Sequence, residues 1–228
     1  MKTHIEDEEQ SIDTIADELV QLAKGCDQVH RQQRKVQFFL DIRGYLTINN
    51  IKGSYIEFGV YRGEMMFSAH HVLGETGSIT DFIGLDTFVG EPKFNKLEEK
   101  ANPALVSGDY NGNYEKTKKF LTDRIGRNVK LIQGDFRQQT ILEQAMNINP
   151  ISVGVIDCNI ASSIEAAASV ILKNICSGGI LFHDDFFVNV GSGELLSEKI
   201  ITTAANAAGR RLVGYNTYPP FARAFIVI

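Results

Sequence analysis

From Ser54 onward the sequence alternates short apolar runs with stretches of helical spacing, and this alternation limits the fold more than any other feature. Tyr55-Ile56-Glu57-Phe58-Gly59-Val60, Thr80–Leu85, Val129–Gln133, Ile151–Ile156 and Ile180–Phe182 read as five strands. Glu64–Leu73, Ala161–Ile175 and Glu194–Ala208 read as helices, with apolar residues three and four apart. Ser177-Gly178-Gly179 and Gly209 end the last two of them. The Ile151–Ile156 run is apolar almost throughout, as a strand covered on both faces must be. Strands alternating with helices build βαβ units and a parallel sheet with helices on both faces. Leu212–Tyr215 and Ala222–Val227 are joined through Tyr218-Pro219-Pro220, too short a link for a crossover helix, so these two strands form an antiparallel hairpin. The expected fold is α/β: a doubly wound, mostly parallel seven-stranded sheet with an antiparallel last strand and N-terminal helices.

Ahead of the sheet, one helix runs from a cap at Ser11 to Gly25, and a second from about Gln28 to Leu46 with Val36, Phe39, Leu40 and Ile42 on its apolar face. Arg31, Arg34, Lys35 and Arg43 on that helix read as a solvated basic face beside the acidic first helix. The chain's net charge of -5 is concentrated: residues 1–20 carry -6 and the remainder sums to +1. A protein that grips phosphates is usually basic, so nucleic acid is not an expected partner. Three scattered cysteines, Cys26, Cys158 and Cys176, make neither a disulfide framework nor a zinc motif. No secretory leader and no apolar run of about 20 residues is present, so the expectation is a cytoplasmic protein without a membrane partner. Thr87–Asn113 lacks periodicity, and a loop of that length in a compact domain is often a lid.

In doubly wound sheets, ligands sit beyond the carboxyl ends of the strands. The first strand here runs into Glu57-Phe58-Gly59-Val60-Tyr61-Arg62-Gly63, whose glycines permit a tight turn and close approach of a ligand. This is neither the dinucleotide fingerprint nor a phosphate loop. The second strand ends at Asp86, placed to accept hydrogen bonds from two ribose hydroxyls, and the third at Gly134-Asp135-Phe136, an acid and an aromatic that suit an adenine edge and face. Helix capping is the competing role for either acid. The fourth and fifth strands end in Asp157-Cys158-Asn159 and His183-Asp184-Asp185. Three carboxylates at one rim are costly unless a cation neutralises them, and a hard divalent ion such as Mg2+ suits oxygen ligands; solvated or capping acids are the competing role.

These residues in this order resemble the class I S-adenosylmethionine-dependent methyltransferases, and more narrowly the macrocin O-methyltransferase family, which methylates sugar hydroxyls of antibiotics and related natural products. The resemblance rests on Tyr55-Ile-Glu-Phe-Gly-Val-Tyr-Arg-Gly63, Gly84-Leu-Asp-Thr-Phe-Val-Gly90, Gly108-Asp-Tyr110, Gly134-Asp-Phe136, Ile156-Asp-Cys158 and Ser177–Phe186, and covers roughly residues 54–187. It implies that Glu57, Gly59, Tyr61, Arg62, Gly63, Asp86, Thr87, Asp135 and Phe136 bind S-adenosylmethionine, and that Asp157, Asp184 and Asp185 hold magnesium, a trio also similar to that of catechol O-methyltransferases. It divides the chain into a helical extension, 1–52, acting as lid or dimer contact, and a methyltransferase domain, 53–228. A homodimer or higher oligomer is compatible with the amphipathic N-terminal helices.

The reaction so implied is in-line attack of an acceptor hydroxyl, on a hydroxylated small molecule, at the sulfonium methyl. A base takes the proton. The family often carries that base two or three residues after the first metal aspartate. Here those positions are Asn159 and Ile160, and neither is a base. Asn159 remains a candidate substrate contact and His183 a candidate base, with a packed core histidine as the alternative. Asp109 and Tyr110 of the lid are further candidates; His70 and His71 read as structural or exposed. The gap leaves open transfer to nitrogen, non-methyl chemistry on the same cofactor, or a non-catalytic member.

Overall fold

A computed structural model of the chain describes residues 27–96, 98, 105–126, 129–148, 150–188 and 195–228. The expected helix at Ser11–Gly25, the acidic tail and Cys26 lie outside the described residues. The elements follow in chain order as α1 (Asp27–Ile48), β1 (Gly53–Phe58), α2 (Glu64–Leu73), β2 (Ile79–Asp86), α3 (Tyr114–Ile125), β3 (Val129–Gln133), α4 (Gln139–Met146), β4 (Ile151–Ile156), α5 (Ala161–Asn174), β5 (Ile175–His183), α6 (Leu196–Ala207), β6 (Leu212–Tyr218) and β7 (Ala222–Val227).

Seven strands form one sheet in the order β3-β2-β1-β4-β5-β7-β6. The pairs from β3 through β5 are parallel, and β7 runs antiparallel to both β5 and β6. Every residue of β1 and β4 is buried, which explains why β4 is apolar but for Ser152 and leaves Ser54 and Glu57 of β1 as buried polar groups. Two apolar cores flank the sheet. One packs Leu142 of α4, Ile164 and Ile171 of α5 and Ile201 of α6 against it. The other packs Phe38, Phe39, Ile42 and Leu46 of α1 with Met66 of α2 and Leu121 of α3.

The α1 side chains Phe38, Phe39, Ile42 and Leu46 are all 0% exposed. The Phe38 ring lies 4.3 Å from Phe182 on β5 and 5.6 Å from Tyr218 on β6, centroid to centroid. Each such side chain contributes about 2 kcal/mol by burial. Helix α1 therefore packs as a layer against the sheet.

Two helices escaped the sequence pattern. Helix α3 is half charged and buries only Thr117 and Leu121; its start is fixed by Asn113, whose Oδ1 accepts from Lys116 N at 3.0 Å. Helix α4 has eight residues, too few for a clear period. The structure also places the α5–β5 boundary earlier than the glycines suggest. Strand β5 starts at Ile175, paired with Ile151, and the next pair is Val153 with Ile180. The intervening Cys176–Gly179 bulges out of the ladder, with Gly178 at φ 84°. Those glycines bend a strand; they do not end the helix.

Candidate functional site

The strand order reverses between β1 and β4, and a cleft opens beyond the carboxyl ends of β1, β2, β3 and β4 at this switch point. It holds about 960 Å3 of atom-free space, its open mouth included.

Glu57, the fifth residue of β1, is 0% exposed. Its Oε2 accepts from Tyr55 Oη at 2.5 Å, while Oε1 is buried without a partner among the described residues. Burial pushes its pKa well above the ordinary carboxylate value. A buried acceptor without a donor is destabilising, and this one lines the cleft, so a ligand amine or ammonium fits it. Two residues on, Gly59 has φ 97°, and a Cβ there would stand 1.9 Å from the Asp157 carbonyl oxygen. Only glycine fits, and its bare backbone lets a ligand lie against the β1–α2 turn.

At the end of β2, the Asp86 carboxylate accepts from Tyr61 N at 2.8 Å and Phe88 N at 2.6 Å. These bonds fix the acid at the cleft wall, and burial raises its pKa. Thr87 donates through Oγ1 to the Gly90 carbonyl at 2.8 Å. Asp135 lies across the cleft and accepts from Arg137 Nη2 at 2.7 Å and Nε at 2.9 Å. Burial works against the anion, but the Arg137 bonds win and hold the Asp135 carboxyl below its ordinary value. Phe136 packs edge-on to Phe58 at 5.2 Å. Tyr61 lines the cleft with φ 52°, its ring edge-on to Tyr110 at 5.9 Å. Gly63 caps the start of α2 and Arg62 is exposed over the outer face of the Tyr61 ring, 4.7 Å from its centroid. Neither is among the cleft-lining residues.

Asp157, Asp184 and Asp185 converge as expected. Each offers an oxygen within 4.8 Å of the others, a donor set that fits a hard divalent cation. The structure corrects the reading of the basic helix, because α1 supplies two cations to the same oxygens. Lys35 Nζ lies 2.6 Å from Asp157 Oδ2 and 3.1 Å from Asp184 Oδ2. Arg31 Nη2 lies 2.6 Å from Asp184 Oδ2 and 3.2 Å from Asp185 Oδ1. Lys35 is 6% exposed, whereas Arg34 and Arg43 face solvent. Desolvation disfavours the buried ammonium, but the two aspartates outweigh it and raise the Lys35 pKa. Burial and the neighbouring acids push Asp157 and Asp185 up, against the opposing pull of Lys35, while Lys35 and Arg31 hold Asp184 below its ordinary value.

His183 is not among the residues that line the cleft. It is 0% exposed, with Nδ1 at 3.1 Å from the Ile156 carbonyl and Nε2 at 3.1 Å from Ser197 Oγ. Burial lowers its pKa to about 4. On a strand it alternates away from Asp184, so it packs under the site. His70 and His71 pack on α2 against Phe82 and Phe67. Asp109 turns back into its own loop, accepting from Val106 N at 2.8 Å. Asn159 lines the cleft and donates through Nδ2 to Glu91 Oε1 at 2.6 Å.

Sequence reasoning missed Arg31, Gln32, Lys35 and Glu91, all of which line the cleft. Gln32 Oε1 is buried and unpartnered. A signal for the helix residues existed: Arg31, Lys35, Phe38 and Ile42 fall four, three and four apart, on one face. Glu91 sits in an aperiodic loop, where spacing carries no information.

A family model described as Macrocin-O-methyltransferase (TylF) matches residues 31–198. No curated protein matches the chain. Among solved structures, the O-methyltransferase NovP superposes with a TM-score of 0.66 at 16% identity, over 85% of this chain and 79% of that one. CalS11, a calicheamicin methyltransferase also described as a TDP-rhamnose 3'-O-methyltransferase, gives 0.59 at 15% identity over 95% and 80%. MycE, of the mycinamycin pathway, in complex with Mg and SAH, gives 0.50 at 15% identity over 84% and 47%. At these identities the structures establish the shared fold.

Proposed function

Since this chain belongs to the macrocin O-methyltransferase family, we propose that it is an S-adenosylmethionine- and Mg2+-dependent O-methyltransferase acting on a hydroxyl of a small molecule, a natural-product sugar. The observation that carries the reading is one cleft lined by Glu57, with its orphaned Oε1, by the bare Gly59 turn, and by Asp157 and Asp185 of the three clustered carboxylates. The sugar assignment follows CalS11, described as a TDP-rhamnose 3'-O-methyltransferase, and the magnesium assignment MycE together with the donor set.

Glu57 Oε1 receives the ammonium end of the methyl donor, Asp86 the ribose hydroxyls, and Asp135 with Phe136 the adenine. Asp86 suits the ribose because its carboxylate is held at the cleft wall by Tyr61 N and Phe88 N, where it accepts from hydroxyl donors. Asp157, Asp184 and Asp185 hold the metal. Bound there, magnesium lowers the pKa of an acceptor hydroxyl. The protein positions acceptor oxygen and methyl carbon in line and excludes water, which is where most of the rate of such a transfer originates. The enzyme works in the cytoplasm, free of nucleic acid and membrane.

A second reading is favoured by the contacts of Lys35 and Arg31, whose two positive charges already face the acids. In it the transfer proceeds without a metal. One assay tests both: label transfer from S-adenosyl-[methyl-3H]methionine into a small-molecule extract, with EDTA and then excess Mg2+. Loss and recovery of transfer supports the metal-dependent reading, and transfer indifferent to EDTA selects the second. No transfer in either condition contradicts the proposal.

A further inference from the structure

The candidate base position after Asp157 is filled by an amide, yet a carboxylate stands against it. Asn159 Nδ2 donates to Glu91 Oε1 at 2.6 Å, and both residues line the cleft beside Asp157 and Asp185. We propose that Glu91, delivered by the loop after β2 and held by Asn159, is the general base that deprotonates the acceptor hydroxyl. This inference rests on the O-methyl transfer reading above.

The placement of Glu91 is built into the loop. Its N–H donates to the Asp109 carbonyl at 2.7 Å, and its own carbonyl accepts from Gly108 N at 2.9 Å. The two arms of the loop are thus clasped at Glu91. Gly90, at φ 94°, is required for the clasp, since a Cβ there would stand 2.4 Å from the Gly108 carbonyl oxygen. Thr87 Oγ1 ties the Gly90 carbonyl from the other side. Both backbone groups of Glu91 are spent on holding the loop, and its side chain points to Asn159 at the cleft. An amide at position 159 suits this arrangement, because it donates to the carboxylate where an aspartate would repel it.

The environment also suits a proton acceptor. Burial raises the Glu91 pKa, the Asn159 bond opposes that rise, and the charged groups acting on it are Asp86 of β2, Asp109 of the return arm and Arg137 after β3. The Cys158 thiol lies in the same electrostatic neighbourhood. A carboxylate shifted toward neutrality is a better base at working pH than an ordinary one. In the step, the acceptor O–H bond breaks toward a Glu91 carboxylate oxygen as the acceptor oxygen bonds the methyl carbon. The C–S bonding pair returns to sulfur, giving S-adenosylhomocysteine and a protonated Glu91, which releases its proton to solvent.

The test uses the full chain, S-adenosyl-[methyl-3H]methionine, Mg2+ and a deproteinised small-molecule extract as acceptor pool, with rates read on the fraction that the wild type labels. Glu91→Gln is expected to slow transfer by about 100-fold, as loss of a positioned base does. Its affinity for S-adenosylmethionine, read by calorimetry, stays within about threefold. Adding Asn159→Asp to that variant returns a carboxylate to the same spot and restores transfer by about tenfold. The acid limb of the pH profile shifts with the carboxylate that carries it. Glu91→Gln as fast as wild type, or a slow variant that Asn159→Asp fails to rescue, overturns the assignment of Glu91 alone. A wild type that labels nothing overturns the O-methyl transfer reading itself.

Discussion

His183 shows how one buried side chain writes a pH dependence into the fold. Both ring nitrogens are committed, to Ile156 O and Ser197 Oγ, and burial depresses its pKa from 6.5 to about 4. The unfolded chain therefore binds a proton more readily than the native one between those values. The contribution is complete above about pH 6.5 and is lost as pH falls toward 4, and amounts to about 3 kcal/mol. The raised Asp157 and Asp185 act with the opposite sign over the same range, so the test is a difference: by chemical denaturation at a series of pH values, the stability of wild type relative to His183→Gln should fall as pH drops from 6.5 to 4. At the same scale, the strand-end acids were legible from the sequence, because a carboxylate closing an apolar strand has few places to be except the rim. Their partners were not legible. Nothing in the order of residues says that Arg137 takes Asp135, or that Asn159 meets Glu91 from 68 residues away.

Among the elements, α1 joins stability to the site. Its apolar stripe buries Phe38, Phe39, Ile42 and Leu46, and one turn earlier the same face carries Lys35 and Arg31 to the aspartates. Docking the stripe thereby places two cations over the acid cluster. Removing one partner of a buried ion pair leaves the other uncompensated. Lys35→Ala should destabilise the metal-free protein by about 3 kcal/mol. A divalent cation then has more to compensate, so Mg2+ should raise the melting temperature more in the variant than in wild type. An equal rise in both would show that Lys35 does not share the site with the metal. Helix existence followed from periodicity for α1, α2, α5 and α6. Helices α3 and α4 carry apolar residues at helical spacing, Tyr114, Leu121 and Ile125 on one and Ile141, Leu142, Ala145 and Met146 on the other, but half of α3 is charged and α4 is two turns long, so neither stripe stands out in the sequence.

On the scale of the whole molecule, the sheet order set the position of the cleft before any side chain was considered. The strand alternation and the short terminal hairpin were enough to read a doubly wound sheet with one antiparallel strand, and the topology agrees. Helix α1 packs with α2 and α3 on one face of the sheet. No described helix is long and apolar enough to cross a membrane. The net -5 lies in a segment outside the described residues, and the acids around the cleft are matched instead by Lys35, Arg31 and Arg137. The central claim is that this cleft binds S-adenosylmethionine, and calorimetric titration of the full-length chain tests it most directly. The account predicts saturable one-to-one binding, weakened at least about tenfold by Asp86→Ala. Absence of saturable binding, with S-adenosylhomocysteine equally silent, would contradict it.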